Sequence, residues 1–241
     1  MRMSAAPVGP LPPDVASARA VLAVCAHPDD ESFGLGGVLG ALAARGVEIA
    51  VLCLTHGEAS TLGPGEDLGA VRARELGAAA AALGVRRVEL MDHPDGALGD
   101  VPLTVLAGHV SAALVEHRPD LVIVFDPDGV TGHPDHRRAT EAALAASGVV
   151  PVIAWAVHED VAASLNDELG TRFVGRTSAE VDVVIDVDRA RQRAAIACHA
   201  SQCLDNRVLW RRLELQGDRE VLRWLRAPRD RSERETASAA S

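Results

Sequence analysis

Short runs of β-branched and aliphatic residues recur along the chain: VLAVCA (21–26), VEIAVLCLT (47–55), VELM (88–91), LVIVFD (121–126) and VIAWAV (152–157). Most are apolar at successive positions. Because successive side chains of a strand point to opposite faces, such a run is buried on both sides. Ala/Leu-rich segments near 35–45, 67–83, 103–117 and 137–147 separate the runs, and they read as amphipathic helices. Strands apolar on both faces and separated by helices imply an α/β fold of Rossmann-like layout, with a mostly parallel sheet and helices on both faces. VDVVIDV (181–187) and a helix over 188–199 extend this pattern, and the Arg- and Glu-rich stretch 204–229 reads as one or two surface helices. The expected organisation is a flexible Pro-rich leader (1–18), a single α/β domain (19–229) and a disordered tail (230–241).

Composition narrows the function. A chain of 241 residues that is 48% hydrophobic can fill the core of one domain. Its formal charge of −10 repels phosphate backbones and anionic lipid, so neither a nucleic-acid partner nor membrane insertion is expected. No signal peptide or membrane-length apolar stretch is present, which implies a cytoplasmic protein. All 24 Lys/Arg positions are arginine, so Schiff-base chemistry and a lysine-bearing phosphate loop are excluded. Tyrosine is also absent. Cys25, Cys53, Cys198 and Cys203 show no C-x-x-C spacing and read as buried thiols. Nothing in the sequence sets the oligomeric state, and a homo-oligomer is compatible with it.

In open α/β sheets ligands bind beyond the carboxyl ends of the strands. Three loops rich in acids and histidine fall there: AHPDDESFGLGG (26–37), LTHGE (54–58) and DPDGVTGHPDH (126–136). A dinucleotide fingerprint fails on spacing, since Gly34 and Gly36 are followed by Leu39 where a small residue is required, and the second strand does not end in an acid. The glycines instead let the first helix pack closely on the sheet.

A metal site fits better. His27 and Asp30 stand three apart, His133 and His136 repeat that spacing, and a proline stiffens each word. His27, Asp30 and His136 form a His/Asp/His set that can hold a divalent ion and leave positions open, as catalytic zinc requires. That leaves Asp29 as a base for an attacking water, and His133 to stabilise negative charge or protonate a departing amine.

AHPDDE, LTHGE, the R-x-x-E of VRARELGAAAAALGV, GHPDH and HASQ together resemble the PIG-L/LmbE-like family of zinc-dependent N-acetylglucosaminyl deacetylases, over about residues 20–203. The resemblance implies Zn2+ on His27, Asp30 and His136, Asp29 as general base and His133 as its electrostatic or acid partner. It implies an N-acetylated amino-sugar conjugate as substrate, with sugars carried on inositol, phosphatidylinositol, malate or glycopeptide in known members. It also places Arg72, Asp95 and His199 near the substrate. Each of these has a plainer reading: Arg72 as a helix-surface pair with Glu75, Asp95 as an Asp-Gly turn, His199 as a group satisfying buried backbone. Glu31 reads as a first-turn acid or a partner of the ligands. Thr131 stands where mycothiol-type members carry tyrosine. Loops 59–70 and 158–178 are expected to set specificity.

Two alternatives fit the same residues. The same His/Asp/His set suits Fe(II) in a non-haem oxygenase. A metal-free sugar-binding module would also use an α/β cleft, although it gains little from unpaired ionisable groups.

Overall fold

The computed structural model describes residues 11–62 and 67–228. Eight strands are present among them: β1 (Ala20–Cys25), β2 (Glu48–Thr55), β3 (Arg87–His93), β4 (Leu121–Phe125), β5 (Val152–His158), β6 (Gly175–Arg176), β7 (Val183–Asp186) and β8 (Arg219–Arg226). They form one sheet in the order β3-β2-β1-β4-β5-β8-β7, with β6 pairing the end of β5. β1 to β5 run parallel, and β8 runs antiparallel to both β5 and β7.

The continuous apolar runs are explained by two cores that use alternate residues. Val21, Ala23 and Cys25 of β1 face one layer, with Ile49, Val51 and Cys53 of β2 beside them. Leu22 and Val24 face the other, with Ala50 and Leu52. Helices Gly36–Ala44 and Leu68–Leu83 cover the first layer through Leu39, Leu42, Leu76 and Leu83. Helices Leu103–His117 and Pro134–Ala146 cover the second through Leu106, Val110, Ala139 and Ala143. Among the described residues no helix is long and apolar enough to cross a membrane.

The chain moves from β1 outward to β2 and β3, then returns to place β4 on the other side of β1. This reversal opens a crevice between the carboxyl ends of β1 and β4, where the loops after these strands diverge. The two histidine words occupy those loops.

Some expectations are corrected. Helix Pro13–Ala16 lies in the segment assigned to the leader, yet Val15 is 0% exposed and belongs to the first core. The leader's residues 1–10 and the tail 230–241 lie outside the described residues. The stretch 204–229 is a helix (Arg207–Gln216) followed by the internal strand β8, not surface helices alone. One of its charges is buried and matched: Glu220 accepts from Trp155 Nε1 at 2.7 Å and from Arg189 at 2.5 Å. Within 158–178, helix Glu159–Leu169 replaces most of the expected loop.

Val15→Asp puts a carboxylate into a dry core, and is expected to lower unfolding free energy by roughly 2 kcal/mol or more. Urea denaturation checks this; a flexible leader would show no change.

Candidate active site

The turn after β1 carries the strain of the site. Asp29 has φ 127°, a left-handed conformation costly for a residue with a Cβ. Several bonds hold it there. The Glu31 carboxylate accepts the Asp29 N–H at 3.0 Å, and Arg72 donates to the Pro28 carbonyl at 2.5 Å and to Asp29 Oδ2 at 2.9 Å. Arg72 also donates to the Gly57 carbonyl at 2.5 Å, fastening the loop after β2 to the same point. Glu31 is itself fully buried, and accepts from Ser32 Oγ at 2.5 Å with His199 Nε2 at 2.7 Å.

The second histidine word starts a helix. His133 is the N-cap of Pro134–Ala146, and its Nδ1 accepts the Asp135 N–H at 3.2 Å. That bond leaves Nε2 to carry the proton of a neutral imidazole. His136, one turn into the helix, faces back across the crevice.

His27 Nδ1 and His136 Nε2 lie 3.2 Å apart, and Asp30 Oδ1 lies 3.1 Å from His136 Nε2. Asp30 Oδ2 is 3.8 Å from His27 Nδ1 and accepts the backbone N–H groups of Ala26 and His27 at 3.0 and 2.9 Å. The far nitrogen of each ring is occupied. His27 Nε2 meets Asp95 Oδ1 at 3.0 Å and Asp135 Oδ2 at 3.2 Å, while His136 Nδ1 meets the Gly129 carbonyl at 3.3 Å. Acceptors on the far side fix the N–H there, so both lone pairs converge on one point beside a carboxylate. Zinc–donor distances near 2.0–2.2 Å give donor spacings of about 3.3 Å in a tetrahedral site, which these separations match. His133 completes a group with His27 and His136 whose ligand atoms lie within 4.8 Å of one another. These residues could therefore hold a metal ion.

The electrostatics agree. Burial alone would lower the pKa of His27, but the Asp135 and Asp95 carboxylates push it up to about 10. Burial would raise Asp30, yet the His136 and His27 imidazoles hold its carboxyl well below the usual carboxylate range. Asp29 differs: burial pushes it up to about 6 against the pull of Arg72. Its side chain keeps 17% exposure on the cleft, so it remains reachable. Burial, with His136 and His27 close by, lowers His133.

The remaining sequence candidates divide. Arg72 lines the cleft but is 3% exposed and is spent on the turn, so it positions Asp29 and is not a pair with Glu75. Glu75 instead accepts from Ser201. Asp95 also lines the cleft, though its oxygens are engaged by His27 and the Ala59 N–H. His199 is 0% exposed and lies behind Glu31, which removes it from contact with substrate. Thr131 is exposed on the cleft. The sequence reading missed Asp135, whose carboxylate is fully buried between His27 and the Gly96 and Leu98 N–H groups. The signal was present in HPDH, where an acid sits between the two histidines.

The chain matches the family described as PIG-L, GlcNAc-PI de-N-acetylase, over residues 22–147. It is 31% identical to a 1D-myo-inositol 2-acetamido-2-deoxy-alpha-D-glucopyranoside deacetylase of Corynebacterium glutamicum (strain R), over 82% of this chain and 86% of the relative. The chain belongs to the PIG-L family. Among solved structures, N,N'-diacetylchitobiose deacetylase from Pyrococcus horikoshii superposes with a TM-score of 0.65 at 23% identity, covering 90% of this chain and 87% of that one. The 4-carboxy-2-hydroxymuconate hydratase of Pseudomonas putida KT2440 does so at 0.64 and 20% identity, over 88% and 98%. These likenesses show the PIG-L fold and not a reaction, since a deacetylase and a hydratase share it.

In the metal-free protein, Arg72→Met removes the charge that lowers Asp29, so the Asp29 pKa is expected to rise above its value of about 6. Carbon-13 carboxyl titration by NMR reads the shift, and the same variant should lose about 3 kcal/mol of stability from the broken buried pair.

Proposed function

We propose that this protein is a zinc-dependent hydrolase that removes an N-acetyl or related N-acyl group from an amino-sugar conjugate, such as an N-acetylglucosaminyl glycoside. The observation that carries the reading is the convergence of two oriented imidazole lone pairs and the Asp30 carboxylate, at separations of 3.1 to 3.8 Å, beside a carboxylate that faces the cleft. Family membership and the deacetylase activity of the Corynebacterium relative support it.

In this reading His27, Asp30 and His136 hold the cation. Zinc bound there would supply Lewis acidity, activating water as a nucleophile near neutral pH and polarising the amide carbonyl. Asp29 is the general base. With its pKa pushed to about 6 it is mostly ionised at neutral pH, yet basic enough to take a proton from the attacking water. Arg72 and Glu31 keep that carboxylate at a fixed angle by holding the strained turn. His133 donates from Nε2 to the amide oxygen as it gains negative charge, or passes a proton to the departing amine. Asp95 and Asp135 act on His27 from behind, raising its basicity toward the cation.

Chelation is expected to abolish release of amine from N-acetylglucosaminides, and added zinc to restore it. Asp29→Asn should keep zinc, measured by atomic absorption, while kcat falls about 10²- to 10⁴-fold. Asp135→Asn should weaken zinc binding about 10- to 100-fold in a competition titration with a chromogenic chelator. Full turnover in thoroughly demetallated protein would rule the mechanism out.

A further inference from the structure

The loop between β4 and the second histidine word is held under strain. Gly129, Val130 and Gly132 have φ of 72°, 61° and 78°. For a β-branched residue such a φ is a costly outlier, and it persists only where surrounding contacts over-determine it. Val130 is nonetheless buried, and it lines the cleft of about 460 Å³ with Thr131, His133 and His136. The Gly129 carbonyl just before it is the group that faces His136 Nδ1 at 3.3 Å.

The contacts that hold this loop come from residues 174–176, which include β6 and are not among those lining the cleft. The Val174 N–H donates to the Val130 carbonyl at 2.7 Å. Arg176 donates to Asp126, from Nε to Oδ2 at 3.1 Å and from Nη2 to Oδ1 at 2.5 Å, and also to Asp128. Asp126 follows the last residue of β4 and is 3% exposed; Arg223 also donates to it, at 3.3 Å. Two carboxylates two positions apart repel each other and push the turn open, and one guanidinium fork laid across both holds it shut. Gly175 seats the segment, since a Cβ there would fall 2.5 Å from Glu159 Cα and 2.9 Å from Ala162 Cβ in helix Glu159–Leu169.

A metal ligand has to be kept within about 0.5 Å of its place, and the group behind an imidazole sets the orientation and basicity of the ring. Without Arg176 the buried Asp126 carboxylate keeps Arg223 as its arginine partner, and the strained backbone is free to relax, carrying the Gly129 carbonyl away from His136. We propose that Arg176 is a positioning residue for the candidate metal site, acting through Asp126, Asp128 and the Val130 turn to hold the Gly129 carbonyl against His136. The inference rests on the reading of His27, Asp30 and His136 as cation ligands. It makes the pairing of β6 with β5, far from the ligands in the chain, a condition for tight metal binding.

The test measures the zinc dissociation constant of the full chain by competition with a chromogenic chelator. Arg176→Met is expected to weaken zinc binding about 10-fold. Arg211→Met is the control: it breaks an exposed pair with Glu168 between helices Glu159–Leu169 and Arg207–Gln216, and should leave the zinc constant unchanged. Urea denaturation of the metal-free proteins separates a merely structural clamp, which would cost stability in Arg176→Met and leave zinc affinity as it was. That result, or equal weakening in Arg211→Met, overturns the proposal. Where Arg176→Met fails to fold, Arg176→Lys carries the test, since it keeps the charge and loses the planar fork: binding about threefold weaker is expected, and an unchanged constant overturns the proposal. If the unaltered protein binds no zinc, the cation-ligand reading fails and the proposal with it. If zinc binding weakens as expected and no N-acyl sugar is cleaved, the clamp stands and the N-deacylase reading fails.

Discussion

Everything distinctive in this molecule follows from bringing two imidazole nitrogens within 3.2 Å of each other beside the Asp30 carboxylate. Two lone pairs cannot face each other at that distance unless a positive centre lies between them, whether a proton or a metal ion. The protein enforces the encounter from outside, through Asp95 and Asp135 on one ring and the Gly129 carbonyl on the other. The parallel sheet makes it feasible, because adjacent strands β1 and β4 end side by side and release their loops into a shared crevice.

Much of this was legible in the sequence for a physical reason. A parallel strand buried on both faces has no polar alternation, so its run of apolar residues is hard to mistake, and the loops at its carboxyl end are then located by counting. The proline-stiffened words fell at those ends and indicated which side chains would meet. Residues that act through others were harder to read. The Arg72 i,i+3 spacing with Glu75 suggests a surface pair, whereas burial under the turn redirects it to Asp29, forty-three positions away. His199 reads as a cleft residue and proves to be wholly buried against Glu31.

β8 is hidden for a similar reason. REVLRWLR carries a charge density typical of a surface helix, and only the fold reveals that Glu220 is neutralised by Arg189 and held by Trp155. Composition reports the charge of a residue and says nothing of its partner.

The interior position of β8 bears on how the molecule is made. The strand inserts between β5 and β7, both synthesised earlier, and brings Glu220 beneath Trp155. Until residues 219–226 leave the ribosome, Val152 to Ala156 of β5 and the facing edge of β7 have no neighbour and the indole beside the cleft has no acceptor. A nascent chain stalled short of that point would already carry both histidine words, yet hold an open sheet prone to pairing with other chains.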